Sequence, residues 1–136
     1  MTIIVYADRI SAPLCYNGDI LFPADCRAVA DRFPKVQAVM LGRGLIRDPA
    51  LIGLMQGGSM PEKAMLRSFH DELFAAYRDK KWSENAILCH MKELWAFMGS
   101  LFDGSEKQEK AIRKAKRLTE YSDAVSNIFA LNLREE

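Results

Sequence analysis

A chain of 136 residues with 49% hydrophobic content has the size of one ordinary domain and enough apolar material for a core. Nineteen basic residues against eighteen acidic ones leave a formal net charge of +1, so any surface for a polyanion must be local. Cys15, Cys26 and Cys89 show no CxxC spacing, which argues against a disulfide framework and a structural zinc site, and His70 and His90 are too few for a His-rich metal site.

In chain order, Met1 to Ala7 is apolar but is interrupted by Asp8 and Arg9. It lacks the basic flank of a signal peptide and the roughly 20 apolar residues of a membrane span, so the expectation is a soluble, cytoplasmic protein. Ile3, Ile4 and Val5 favour a strand, whereas Ile3, Tyr6, Ala7 and Ile10 share one helical face, and the helix is the preferred reading. Pro13 to Tyr16 is a short apolar run ending in Asn17-Gly18-Asp19. Ala24 to Phe33 sets Cys26, Val29, Ala30 and Phe33 at helical spacing. Val36 to Leu41 is a second apolar run, ending in Gly42-Arg43-Gly44. This order predicts a βαβ unit with parallel strands.

The grammar changes near Gly57-Gly58-Ser59-Met60-Pro61, where Ser59 or Met60 is a candidate cap and Pro61 and Glu62 fit a first helical turn. A domain boundary is expected there, with residues 1–58 forming an α/β segment and residues 59–136 a helical one. In the second segment, Met65, Phe69, Leu73 and Ala76 line one stripe of a helix from about Pro61 to Lys80. Ser83 can cap the next helix, on which Ile87, Met91, Leu94, Trp95 and Met98 recur at steps of three or four, with Gly104 as the stop. Helices over 106–117 and 120–131 complete an expected four-helix bundle, the last with Ala124, Val125, Ile128 and Phe129 on its apolar side. Trp82, Trp95, Phe97 and Phe102 read as core or cap, with stacking on a base as the alternative for Trp82.

Two features carry chemistry. The turns Asn17-Gly18-Asp19-Ile20 and Gly42-Arg43-Gly44-Leu45 each follow a predicted strand and so lie at its C-terminal end, the ligand face of parallel α/β folds. Glycine permits close backbone approach, backbone N–H groups can point at an anion, and Arg43 can add a charged fork. Ordinary βα turns have the same composition, so that alternative stays open. The second feature is basic: Lys110, Arg113, Lys114 and Arg117 stand at i, i+3, i+4 and i+7 within an expected single helix, with Ala111, Ile112, Ala115 and Leu118 directed to the bundle. Such a stripe can follow RNA phosphates, and a solvated helix face is the alternative. Lys92 in the preceding helix is a further candidate. His70 and Asp71 are not expected to pair, because adjacent helical residues diverge.

The segments YNGDI (Tyr16 to Ile20) and VMLGRGLIRDPAL (Val39 to Leu51) resemble the tRNA-dihydrouridine synthases, and the helical tail fits them too. The resemblance implies the last βα units of a (β/α)8 TIM barrel, followed by a helical tRNA-binding domain. It implies FMN as cofactor, its phosphate held by Asn17, Gly18, Asp19, Gly42, Arg43 and Gly44. It also implies NADPH as reductant, and tRNA contacts from the basic residues, with His90-Met91-Lys92 in the region of such contacts. A complete barrel takes about 250 residues, and the family's catalytic cysteine, lysine and histidine lie upstream of these motifs. Cys15 and Cys89 do not stand in that cysteine's context and read as buried small hydrophobes. The expectation is therefore a C-terminal portion without turnover of its own: a truncated product, an internal-start reading frame or a split gene. A helical RNA- or protein-binding module without catalysis, or part of another FMN-dependent barrel oxidoreductase, are the alternatives. Open strand edges in residues 1–58 further predict self-association.

Overall fold

The computed structural model describes residues 9–135. The opening-helix expectation therefore falls almost wholly outside the described residues. The elements are β1 (Leu14–Asn17), α1 (Pro23–Arg32), β2 (Val36–Met40), α2 (Arg43–Arg47), α3 (Leu51–Met55), α4 (Lys63–Asp79), α5 (Glu84–Met98), a 3₁₀ turn (Gly99–Leu101), α6 (Glu106–Lys114) and α7 (Leu118–Phe129). The chain is mostly helical with a small two-stranded parallel sheet. It forms two compact units: the residues up to Leu45 with Ala50–Ser59, and Ile46–Pro49 with Met60–Glu136.

In the first unit, β1 and β2 pair in parallel, with Tyr16 opposite Val39 and Asn17 opposite Met40. The α1 crossover joins them, as parallel strands require. Its start is set by Pro23 in the first turn and by Asp25, whose carboxylate accepts the Leu21 and Phe22 N–H groups, each at 2.9 Å. That carboxylate satisfies orphan donors and sits favourably at the positive end of the helix. Val29 is buried and Cys26 and Phe33 are half-buried, but Ala30 is exposed and leaves the expected stripe. The Phe33 ring stacks on Tyr16 at 6.2 Å between centroids.

Gly57 and Gly58, read as the prelude to a helix, instead close α3. Gly57 has a φ of +86°, Gly58 N–H donates to the Gly53 carbonyl (2.8 Å) and Gly57 N–H to that of Leu54 (3.1 Å). This pair of bonds is a Schellman ending, which needs the left-handed residue that glycine supplies.

The second unit holds the larger core, in which Trp95, Tyr121, Phe102, Leu66, Met91, Met98, Ile112, Ile128 and Val125 are the largest fully buried side chains. Ser83 caps α5 by accepting the Ala86 N–H (3.3 Å), and the expected stripe Ile87, Met91, Leu94, Trp95 and Met98 is buried throughout. The α4 stripe is rotated from its expected place: Phe69 and Leu73 do pack half-buried against the core, but Leu66 and His70 are the buried residues and Met65 and Ala76 are exposed. α4 also starts later than expected, at Lys63, with Glu62 at the cap position and neither Ser59 nor Met60 in that role.

The rotated face brings His70 into a polar network inside the aromatic core. Trp95 Nε1–H donates to the Tyr121 hydroxyl (2.8 Å), which stands 2.8 Å from His70 Nε2, and His70 Nδ1 lies 2.8 Å from Asp71 Oδ1. A carboxylate only accepts, so Nδ1 carries the proton in the neutral ring and the tyrosine hydroxyl donates to Nε2. His70 and Asp71 thus do pair, contrary to expectation. Arg67 Nε, one turn earlier, holds both oxygens of Asp71 (3.1 and 3.0 Å) and turns the carboxylate back over the imidazole. Burial holds the His70 pKa below its ordinary value, against the opposing pull of Asp71, and burial raises the Tyr121 phenol above its own.

Cys15 and Cys89 are both exposed, not buried. Along β1 the half-buried residues are Leu14 and Tyr16, and the period of two sends Cys15 the other way. On α5, Leu88, Met91, Leu94 and Trp95 take the core side and leave Cys89 and His90 outside.

Candidate functional site

The two glycine turns come together. Asn17, Gly18, Asp19, Ile20, Gly42, Arg43 and Gly44 line one cleft of about 340 Å³ at the C-terminal ends of β1 and β2. Parallel pairing accounts for this, since it places both strand ends, and hence both following turns, on the same side of the sheet. Gly44 makes the approach close: a Cβ there would overlap the Ile20 carbonyl oxygen and come within 2.8 Å of Leu51 Cδ2. A Cβ on Gly42 would meet nothing within 4 Å. Arg43 and Asp19 form an ion pair that links the turns, both side chains being mainly solvent-exposed. Ile20 and Leu51, which end the two motif segments, are buried beneath the turns as structural partners, a role that the motif reading did not give them. Their apolar character was the available signal.

The basic residues are arranged differently from the expected stripe. α6 ends at Lys114, and Ala115 turns to an extended ψ of 131°. Lys110, Arg113 and Lys114 share α6, but Arg117 sits in extended backbone at the start of α7. Ile112 and Ala115 are buried and Leu118 is half-buried, while Ala111, expected to dock, is exposed. Lys107, Lys110, Arg113, Lys114, Lys116 and Arg117 are exposed, and none forms an ion pair among the described residues. Lys92 does not join them. Its ammonium donates to the Ala115 carbonyl at 2.5 Å, placing a cation at the negative end of α6. Lys63 serves α7 in the same way, donating to the Leu131 carbonyl at 2.9 Å.

Sequence reasoning missed two acidic partners of this region. Glu84 accepts the Leu118 N–H (2.6 Å) and Glu120 the Lys116 N–H (2.7 Å). Both are acidic residues in first helical turns, but only Glu120 lies near its partner in sequence, whereas Glu84 meets Leu118 from 34 residues away. Trp82, which the sequence assigned to core or cap, is 38% exposed. It stacks on Tyr77 (5.0 Å between centroids) and lies tilted beside His90 (5.0 Å).

The family model described as dihydrouridine synthase matches residues 2–131, and the chain belongs to that family. Family membership assigns it dihydrouridine synthase function in general: an oxidoreductase, flavin-dependent as its family is, with tRNA as substrate. No curated protein matches the chain. Among the described residues, no helix is long and apolar enough to cross a membrane.

Proposed function

We propose that residues 1–58 are the closing βα units of an FMN-binding (β/α)8 barrel and residues 59–136 a helical tRNA-binding domain. The observation that carries this reading is the single cleft formed by the Asn17–Ile20 and Gly42–Gly44 turns at the ends of paired parallel strands. The cleft fits a phosphate group. Its lining combines glycine backbone, the Asn17 amide and the Arg43 guanidinium, and the missing Cβ of Gly44 keeps the two turns in contact. Asn17, Gly18, Gly42 and Gly44 would offer neutral donors to phosphate oxygens, and Arg43, steadied by Asp19, a charged one. When bound, FMN reduced by NADPH would supply the hydride for reduction of a tRNA uridine to dihydrouridine, a reaction that also takes up one proton.

The four exposed cations Lys110, Arg113, Lys114 and Arg117 would contact tRNA phosphates. A target base must leave its stack to be reduced, which calls for a separate grip on the nucleic acid. The helical domain would provide that grip, and the proton donor is assigned to none of the cysteines in these residues. Among the described residues β1 and β2 are both edges of their sheet, and on this reading the barrel segment would also self-associate; sedimentation as a clean monomer at high concentration contradicts that part.

The test is a fluorescence titration with FMN, with riboflavin as the control that lacks the phosphate. Binding of FMN alone supports the cleft as a phosphate site. Equal binding of both, or of neither, removes the phosphate assignment and leaves family membership untouched.

A further inference from the structure

The connection between α6 and α7 is held by side chains from its neighbours. It consists of Ala115, Lys116 and Arg117, and its polar backbone groups would otherwise be the orphans of two helix ends. The Ala115 carbonyl accepts from Lys92 of α5, the Lys116 N–H donates to Glu120 of α7, and the Leu118 N–H donates to Glu84 of α5. Three bonds from two helices thus fix the stretch that carries Lys114, Lys116 and Arg117. Ala115 adds a buried anchor beneath it.

The sign of the charges is informative. A carboxylate beside three unpaired cations weakens a polyanion site through the long-range field. Two carboxylates nevertheless stand there, Glu120 bonded to the Lys116 N–H of this connection and Glu84 to the N–H of Leu118, the first residue of α7. The N–H of Lys116 is the foremost cause of the lowered Glu120 pKa, so this carboxylate stays ionised with its hydrogen bond in place. A connection ordered in advance loses no conformational freedom when RNA binds.

We propose that Glu84 and Glu120 are positioning residues for RNA recognition, clamping the α6–α7 connection so that Lys114, Lys116 and Arg117 meet the phosphates in a set geometry. Lys92 completes the clamp from α5 and acts on RNA through the Ala115 carbonyl. This rests on the reading of the basic face as the tRNA surface.

The experiment measures the affinity of the full chain for an unmodified tRNA transcript. Glu84→Ala and Glu120→Ala each delete a negative charge next to the patch, so charge alone predicts tighter binding. The clamp predicts the opposite, a loss on the order of fivefold for each, comparable to deletion of a helix cap. Glu84→Gln and Glu120→Gln keep an oxygen that accepts the N–H and retain at least the parent affinity. Amide hydrogen exchange at Lys116 and Leu118 serves as a second readout, fast in the alanine variants and slow in the glutamine ones. Alanine variants that bind as tightly as the parent or tighter overturn the proposal, as does an equal loss in the alanine and glutamine forms. The combined variant Lys110→Ala, Arg113→Ala, Lys114→Ala, Arg117→Ala is measured alongside. Unchanged affinity there overturns the RNA reading and the clamp together, whereas a loss there with unaffected Glu84 and Glu120 variants overturns the clamp alone.

Discussion

The strand-bearing unit and the helical unit bury their apolar residues on very different scales. In the first, Ile20, Val29 and Leu51 are the buried hydrophobic side chains among the described residues, and Phe22, Met40 and Ile52 remain exposed. In the second, one cluster runs from Leu66 to Ile128 through fifteen buried residues, with Phe69, Leu73, Phe74, Tyr77 and Phe129 packed against it. Burial is the main favourable term in folding, so the helical unit has by far the larger driving force of its own. Among its described residues, the first unit packs on Ile20, Val29 and Leu51 and on a close backbone fit at Gly44. That difference suits the proposed roles: a grip for RNA needs a rigid platform, whereas two βα units are only a small arc of a barrel wall.

The largest expected effect is on the helical core. Trp95→Ala removes a fully buried ring and the donor to Tyr121, and should destabilise the helical unit by about 3–5 kcal/mol, read from its chemical denaturation midpoint. Leu51→Ala should leave that helical transition in place, and a shared loss of both units would break the comparison drawn above.

Next comes the glycine pair of the cleft. Gly44→Ala should cost the first unit about 1–3 kcal/mol, because the new methyl group meets the Ile20 carbonyl, which is backbone and cannot swing aside. Gly42→Ala should leave the fold unchanged, as checked by circular dichroism. A difference between the two variants in FMN titration then separates damage to the cleft from damage to its ligand contacts.

Tyr121→Phe should cost the second unit about 1–3 kcal/mol, since Trp95 N–H and His70 Nε2 both lose their buried partner. The same network makes this unit sensitive to pH. With the folded pKa of His70 below the unfolded value of 6.5, the unfolded state binds more protons as pH falls, so stability declines as pH drops below about 6.5. Melting temperatures at pH 7.5 and 5.5 should differ in that direction, and His70→Gln should flatten the difference. The first unit has no buried histidine and should show no such trend.

The smallest effect belongs to the surface pair. Asp19→Asn breaks the ion pair with Arg43, yet both side chains are mainly exposed, and a stability change below about 1 kcal/mol is expected. A larger loss in a denaturation curve would mean that the pair, and not Gly44, holds the turns together.

The α5 stripe and the parallel βαβ order were legible because they are periodic: residues at steps of three or four, and two apolar runs each ending in a glycine turn. The α4 stripe was legible at Phe69 and Leu73 but left out His70, whose ring is buried against Trp95, Phe74 and Tyr121. The continuous basic helix failed at Ala115. No glycine or proline marks the break there, and the ending depends on Lys92, 23 residues away in sequence, and on Glu84. Cys15 and Cys89 were assigned to the interior by residue type, which does not report which side of a strand or helix faces out.

The sequence by itself determined the family, the glycine turns after the two strands, and most helix positions, because these rest on local spacing and on motifs contiguous in the chain. Tertiary structure alone decided that the two turns share one cleft, that His70 is a buried member of a hydrogen-bonded network, and that the basic stretch is broken and clamped. Each of these depends on groups distant in sequence meeting at hydrogen-bonding or van der Waals range, and residue spacing along the chain carries no information about such meetings.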